Sequence, residues 1–348
     1  MSRTLSVTSS ADTIIVKQRY FFMKERKIGI DIFKFLAVFF ILNSHMGILY
    51  VKFPMLASGG AIGNALFFFC SGFTLFLKPF GGVRDFPNWY KVRINRIYPT
   101  VFAVAIMLCL FFKQHNDIIW ILLYGGQWFV ACIMVYYVII YFIGVFFADR
   151  LKWVLAFVMV AFCVLYYSLN IKFPYSLYAD DVLELKRYLY FIFMLFGAWM
   201  ATIDTSKLSR HQWLNLGLAL LCCVAFYVLN GLTIKYKPVA FLHVFTFVLL
   251  MAMLYFLYLW ADGAWVKSLY QSRVGHFIIR FVGGLCLEVY LVQNWLITDV
   301  LNFLFPLNIL IMVCIVVLAA YLVRCLARFL SQTFKDAPYD WKKMVSAY

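Results

Sequence analysis

The chain has 348 residues, 65% of them hydrophobic and 20% aromatic, with 31 Lys and Arg against 15 Asp and Glu for a formal net charge of +16. Only 13% are charged, where a soluble chain averages about 25%, so an ordinary water-soluble domain is excluded. The cations fall in short breaks between apolar runs, which makes them a matter of membrane topology and anionic lipid headgroups and gives no reason to invoke nucleic acid.

Residues 1–27 form a basic tail. Its first 16 residues lack the charged region leading directly into an apolar core that marks a signal peptide. The stretch KQRYFFMKERK (17–27) mixes cations with aromatics, as suits the headgroup layer. Ten apolar spans follow, at 28–50, 59–79, 99–113, 127–147, 152–169, 186–203, 212–230, 238–260, 281–304 and 307–330. Most approach the roughly 20 residues that cross a bilayer. The third is short, and 118–125 (IIWILLYG) is too short to cross, so it reads as an interfacial or re-entrant segment. The expected fold is therefore an all-α integral membrane bundle over 28–330, with a C-terminal tail at 331–348. With the N-terminus taken as cytoplasmic, 23 Lys and Arg lie on that face, 7 on the other, and Lys34 within the membrane. This excess puts both termini in the cytoplasm. The nine cysteines all lie in apolar spans, where they act as small hydrophobes. No Cys/His spacing resembles a metal site, so neither a metal nor a disulfide framework is expected.

The first span, IGIDIFKFLAVFFILNSHMGILY, holds Lys34 and His45. Ionisable groups in hydrocarbon are costly and mark function by default. Eleven residues at about 100° each return to nearly the same helix face, about 16 Å further along the axis. A polar stripe results, although a snorkelling lysine and a helix-packing histidine explain it as well. In the second span Ser71 and Gly72 interrupt a Phe-rich run that includes Phe68 and Phe73; by itself this reads as a packing notch. Arg93 and Arg96 follow at i, i+3, a spacing that lets two guanidinium forks face one phosphate-rich ligand. Lipid-headgroup anchoring is equally natural there. Glu288, deep in the ninth span, needs a cation or its own proton, and Lys34 and His45 are the expected partners. Of the remaining histidines, at 115, 211, 243 and 276, only His243 falls clearly inside a span, which makes it second choice to His45.

Taken in order, Lys34-(ten residues)-His45, then Phe67-Phe68-Phe69-Cys70-Ser71-Gly72-Phe73, then Arg93-Ile94-Asn95-Arg96, resemble the Arg/Lys-x10-His, FFxxSGF and RxxR patterns of the membrane-bound acyltransferase 3 family. Gln127-Trp128-Phe129 and Cys286-Leu287-Glu288-Val289-Tyr290-Leu291 look like its later motifs, so the resemblance covers essentially the whole chain. It implies transfer of an acyl group, commonly acetyl, from cytoplasmic acyl-CoA (acetyl-CoA) to a hydroxyl of a cell-envelope polysaccharide or lipid-linked glycan, in the bacterial inner membrane. By the same resemblance His45 is the catalytic histidine, as general base or acyl relay, and Lys34 fills the Arg/Lys position. Arg93 and Arg96 help hold the CoA nucleotide. Phe68, Ser71, Gly72, Phe73 and Tyr290 shape the site, Glu288 and Tyr290 match the late motif, and Lys34 and Glu288 join His45 in the catalytic set, with Glu288 stabilising the imidazolium. Cys286 replaces a frequent Ser, and Gln293 stands where many members carry a second His, which puts a two-histidine scheme in doubt. With 18 residues after the last span (331–348), no fused SGNH-type domain is expected. The acceptor is therefore expected to reach the bundle itself or through a separate glycan-assembly protein. The rival readings are a glycan or lipid transporter or flippase, for which no inverted halves are found, and an assembly component of an envelope complex.

Overall fold

The computed structural model describes residues 27–113, 121, 128–169, 173, 176–178, 183–333 and 337–347. Regular structure among them is entirely helical: α1 Ile28–His45, α2 Gly60–Leu75, α3 Phe86–Phe112, α4 Trp128–Phe147, α5 Leu151–Ser168, α6 Leu183–Met200, α7 Gln212–Lys235, α8 Thr246–Ala261, α9 Ala264–Gln271, α10 Arg273–Gly284, α11 Cys286–Leu296, α12 Leu307–Thr333 and the single turn α13 Trp341–Met344. The basic tail up to residue 26 and the proposed interfacial segment 118–125, Ile121 apart, lie outside the described residues.

Seven stretches among the described residues are long and apolar enough to cross a membrane, or eight if α10 and α11, bent by 68°, make one span. The larger sequence count of ten has an identifiable origin. Helices α4 and α5 run together as one 41-residue apolar stretch, Trp128–Ser168, broken only by the 3-10 turn Ala148–Arg150. Helix α6 carries Glu184, Lys186 and Arg187 at its start. Two boundaries also differ from expectation. The short third span is the end of a 27-residue helix, so Arg93 and Arg96 sit on the same helix as the apolar part of α3. The ninth span is not continuous: it breaks at Leu285 and gives way to a 3-10 turn at Asp299–Leu304.

Helix α1 is the hub, touching α2, α8, α10 and α11. Small residues let these helices approach. A Cβ on Gly283 would lie 3.0 Å from the Phe35 nitrogen and 3.2 Å from the Asp31 carbonyl oxygen of α1. On the other side, a Cβ on Gly72 of α2 would overlap the Met194 carbonyl of α6, and one on Gly197 of α6 would overlap the Phe69 carbonyl of α2. With lipid tails as apolar as the side chains, such close backbone contact is what drives helices together. At the start of α1, buried Asp31 accepts a 2.7 Å hydrogen bond from the Tyr270 hydroxyl, an acid placed where a helix N-terminus favours it.

Candidate active site

The start of α1, the end of α2, the first half of α3 and the end of α12 meet at one face of the bundle around a cavity of about 710 Å³. Among the described residues seven cationic side chains line it, Lys34, Lys78, Arg93, Arg96, Arg280, Arg324 and Arg328, against the single carboxylate of Glu288. On α3, Arg93 lies over the Trp89 ring at 4.4 Å, and Arg96 follows one turn on. Pro99, inside the helix, has no N–H to give the carbonyl of Asn95. Asn95 and Pro99 both line the cavity, so the wall is polar in backbone as well as side chain.

Glu288 and Arg324 form a buried two-pronged ion pair: Nε to Oε1 at 3.3 Å and Nη2 to Oε2 at 3.0 Å, with side chains 8% and 12% exposed. Arg324 Nη2 also donates to the Gly284 carbonyl. Gly284 is the last residue of α10 and Glu288 lies in the first turn of α11. A helix break leaves carbonyls unpaired on one side and N–H groups on the other, with partial negative and positive charge respectively. The arginine bonds the first through the Gly284 carbonyl, and the glutamate sets its negative charge in the first turn of α11, so this pair bridges the interrupted span. Both carboxylate oxygens are bonded to Arg324, where sequence reasoning expected Lys34 and His45.

The Phe-rich motif divides by face. Phe67 and Phe68 pack on Phe129 at 4.5 and 4.9 Å between ring centroids, and Phe129 stands 4.5 Å from Tyr290. Three separate motifs thus share one aromatic cluster. Phe73 packs on Tyr258, Gly72 serves the α2–α6 contact, and Ser71 lines the cavity, its hydroxyl 3.4 Å from that of Tyr137.

His45 is elsewhere. It is the exposed last residue of α1, outside the cavity lining and about 16 Å beyond Lys34 by helix rise. The chain around it is tied down. Asn43 Nδ2 donates to the carbonyls of Leu56 and Ser58 at 2.8 and 2.9 Å, and its Oδ1 accepts from the Tyr50 hydroxyl at 2.6 Å. Asn302 and Asn308 donate to the carbonyls of Ile48 and Leu49. The structure thus gathers Lys34, Ser71, Arg93, Arg96 and Glu288 at one end of α1 and sets His45 at the other.

His243 is buried as a packing residue. Its Nε2 accepts from the Leu177 N–H at 3.0 Å, so its Nδ1 carries the proton and donates to Thr233 Oγ1 at 2.7 Å, whose own hydroxyl donates to the Leu229 carbonyl. Gln293 is fully buried with no hydrogen bond to either amide atom among the described residues.

Sequence reasoning missed Lys78, Arg280, Arg324 and Arg328 as site residues. Arg324 and Arg328 fall inside the last apolar span, so the rule that singled out Lys34 applies to them equally. Arg328 also ties down the C-terminal segment: its Nη1 donates to the carbonyls of Lys343 and Met344 at 3.2 and 3.4 Å and to that of Ser346. Tyr321 bonds the Val345 carbonyl at 2.6 Å, and Tyr339 stacks on Phe329.

A bundle of long apolar helices around a cavity lined by cations is an integral membrane protein. Residues 27–327 match the family model described as an acyltransferase domain, acyltransferase 3. The chain belongs to the membrane-bound acyltransferase 3 family and is a membrane acyltransferase. Comparison with curated proteins and with solved structures gave no match.

Proposed function

We propose that this acyltransferase takes an acetyl group from cytoplasmic acyl-CoA and passes it to a hydroxyl of an envelope polysaccharide or lipid-linked glycan, from a seat in the bacterial inner membrane. Both termini and the cavity mouth face the cytoplasm. The observation that carries the reading is the cavity itself, seven cations around one carboxylate at the foot of the helix that bears His45. Its volume of about 710 Å³ falls within the roughly 300–1,000 Å³ of small-ligand sites. Guanidinium forks suit phosphate oxygens, and CoA carries a diphosphate and a 3′-phosphate. Lys34, Arg93 and Arg96 hold the nucleotide, Glu288 keeps Arg324 in place, and Phe68, Ser71, Gly72, Phe73 and Tyr290 shape the channel. The pantetheine arm then runs along α1 toward His45.

An imidazole suits base work near neutral pH. In direct attack, His45 accepts the proton of the acceptor hydroxyl as its oxygen attacks the thioester carbonyl, the C–S bond breaks, and the CoA thiolate leaves and takes up a proton. In relay, an imidazole nitrogen displaces the CoA thiolate to give an acyl-imidazole, which the acceptor hydroxyl then attacks. Labelled acyl-CoA without acceptor traps the adduct in the second route only. The reading itself is tested with His45→Ala at equal expression. Acyl transfer to envelope glycans, followed by mass spectrometry, is lost, while donor binding stays within about twofold of wild type because the cavity is three turns away. Acylation that survives the substitution would return the glycan transporter or flippase to first place.

A further inference from the structure

We propose that Gln293 and Asn64 form a binding site for a secondary amide, the pantetheine amide nearest the thioester: Gln293 donates to its carbonyl and Asn64 accepts its N–H. The site rests on the acyl-CoA reading above, and it fixes the depth at which the acyl group comes to rest.

Gln293 is 0% exposed with neither amide atom hydrogen-bonded among the described residues, and Asn64, 9% exposed, has its Oδ1 likewise without a partner. A buried polar atom left unpaired loses more than a made hydrogen bond returns, so two such side chains at one depth point to a ligand that completes them. Their depth follows from the helices. Seven residues make two turns less about 20°. Asn64 therefore stands on the face of α2 that carries Ser71, and Gln293 on the face of α11 that carries Cys286. Ser71 and Cys286 both line the cavity, and each amide lies about 10 Å beyond them along its helix. One turn nearer the cavity, Phe67 of α2 and Tyr290 of α11 pack on the same Phe129 ring, each at 4.5 Å, which sets Asn64 and Gln293 at one level. Both helices lead from there toward the His45 end of α1. A Cβ on Gly60 of α2 would lie 3.0 Å from Ser44 Oγ, and the chain after α11 reaches Asn302, which bonds the Ile48 carbonyl. The level itself is marked on α1 by Ile41, whose nitrogen would lie 2.8 Å from a Cβ on Gly63. Ile41 is one turn, about 6 Å, short of His45.

The chemistry of the donor fits this spacing. Its first amide follows the sulfur by two carbons, about 5 Å behind the thioester carbonyl by ordinary bond lengths. With the thioester at His45, the amide falls at the level of Ile41. A trans amide is planar and carries its N–H and carbonyl on opposite edges, so no single side chain meets both. A donor on one helix and an acceptor on another do.

The test is equilibrium binding of acetyl-CoA, and of its analogue with an ester oxygen in place of that amide N–H, to the full chain in lipid nanodiscs. Wild type prefers the amide by at least about tenfold, or 1.4 kcal/mol. N64L brings the ratio to within about twofold of unity, because no acceptor remains to tell N–H from oxygen. Q293M weakens both donors at least about fivefold and leaves the ratio intact, since both keep the carbonyl. Each variant puts an apolar group of similar shape in place of an unpaired polar one, so unfolding in bicelles is no easier than for wild type. A ratio that survives N64L, wild-type affinity in Q293M, or a variant that unfolds more readily than wild type overturns the amide site. So does a wild type that binds both donors alike, which leaves the acyl-CoA reading standing. A wild type that binds neither donor refutes that reading and takes the amide site with it.

Discussion

Removing the Glu288 carboxylate leaves the Arg324 guanidinium 12% exposed in a cavity that, among the described residues, holds six other cations and no other acid. Breaking a buried pair from one side costs roughly 3–5 kcal/mol, whereas replacing both partners with neutral groups is close to neutral. The two single substitutions are not equivalent here. In Arg324→Gln the stranded carboxylate still has Lys34 and several arginines around the same cavity, so a loss smaller than that full range is expected. Glu288→Gln, with no other acid lining the cavity among the described residues, takes the full loss. Reversible unfolding of the four proteins of the cycle, in one bicelle composition, measures this directly. The expected order is wild type and E288Q/R324Q nearly equal, R324Q weaker, E288Q weakest, with a coupling energy of at least about 2 kcal/mol. If the single effects add to the double within about 0.5 kcal/mol, the pair is uncoupled, and its role in holding the α10–α11 break is refuted.

Gly72→Ala or Gly197→Ala puts a methyl group into the backbone of the facing helix. Each should cut accumulation of folded protein severely, at a cost of about 3 kcal/mol or more, where Gly217→Ala, with nothing within 4 Å, is neutral or slightly stabilising; equal behaviour of the three would contradict the α2–α6 seam. Asn43→Leu removes three hydrogen bonds beside His45, worth about 1 kcal/mol each. Turnover should fall more than tenfold while acetyl-CoA binding is kept, and a parallel loss of both would show that the two ends of α1 are not separate. Acetyl-CoA affinity should drop at least threefold as salt rises from about 20 to 200 mM, because screening shortens the reach of the cavity charges. A flat response would mean that the cations are not meeting an anionic ligand.

Much of the site was legible in the sequence because ionisable side chains in hydrocarbon are conspicuous one at a time. Lys34, Ser71, Arg93, Arg96 and Glu288, drawn from positions 254 residues apart, line one cavity. What escaped was curvature. Arg280, Arg324, Arg328 and Lys78 were counted as charges on one membrane face, and a count per face does not say which charges bend inward around a common space. The partner of Glu288 escaped for a related reason: the break at Leu285 that creates a place for Arg324 depends on Gly283 meeting α1, a contact between distant segments. The FFFCSGF run was readable as a small-residue notch. That Gly72 faces α6 while Ser71 faces the cavity follows from helix rotation in the assembled bundle.

The fold-back of residues 339–346 onto α12 bears on how this protein is handled at the bench. Ser346, whose carbonyl Arg328 holds, is two residues from Tyr348. A purification handle or fluorescent reporter fused at that end pulls on the carbonyls that engage a cavity-lining arginine, and donor affinities read from such a fusion report on a disturbed cavity. A fusion ahead of Met1 leaves these bonds alone.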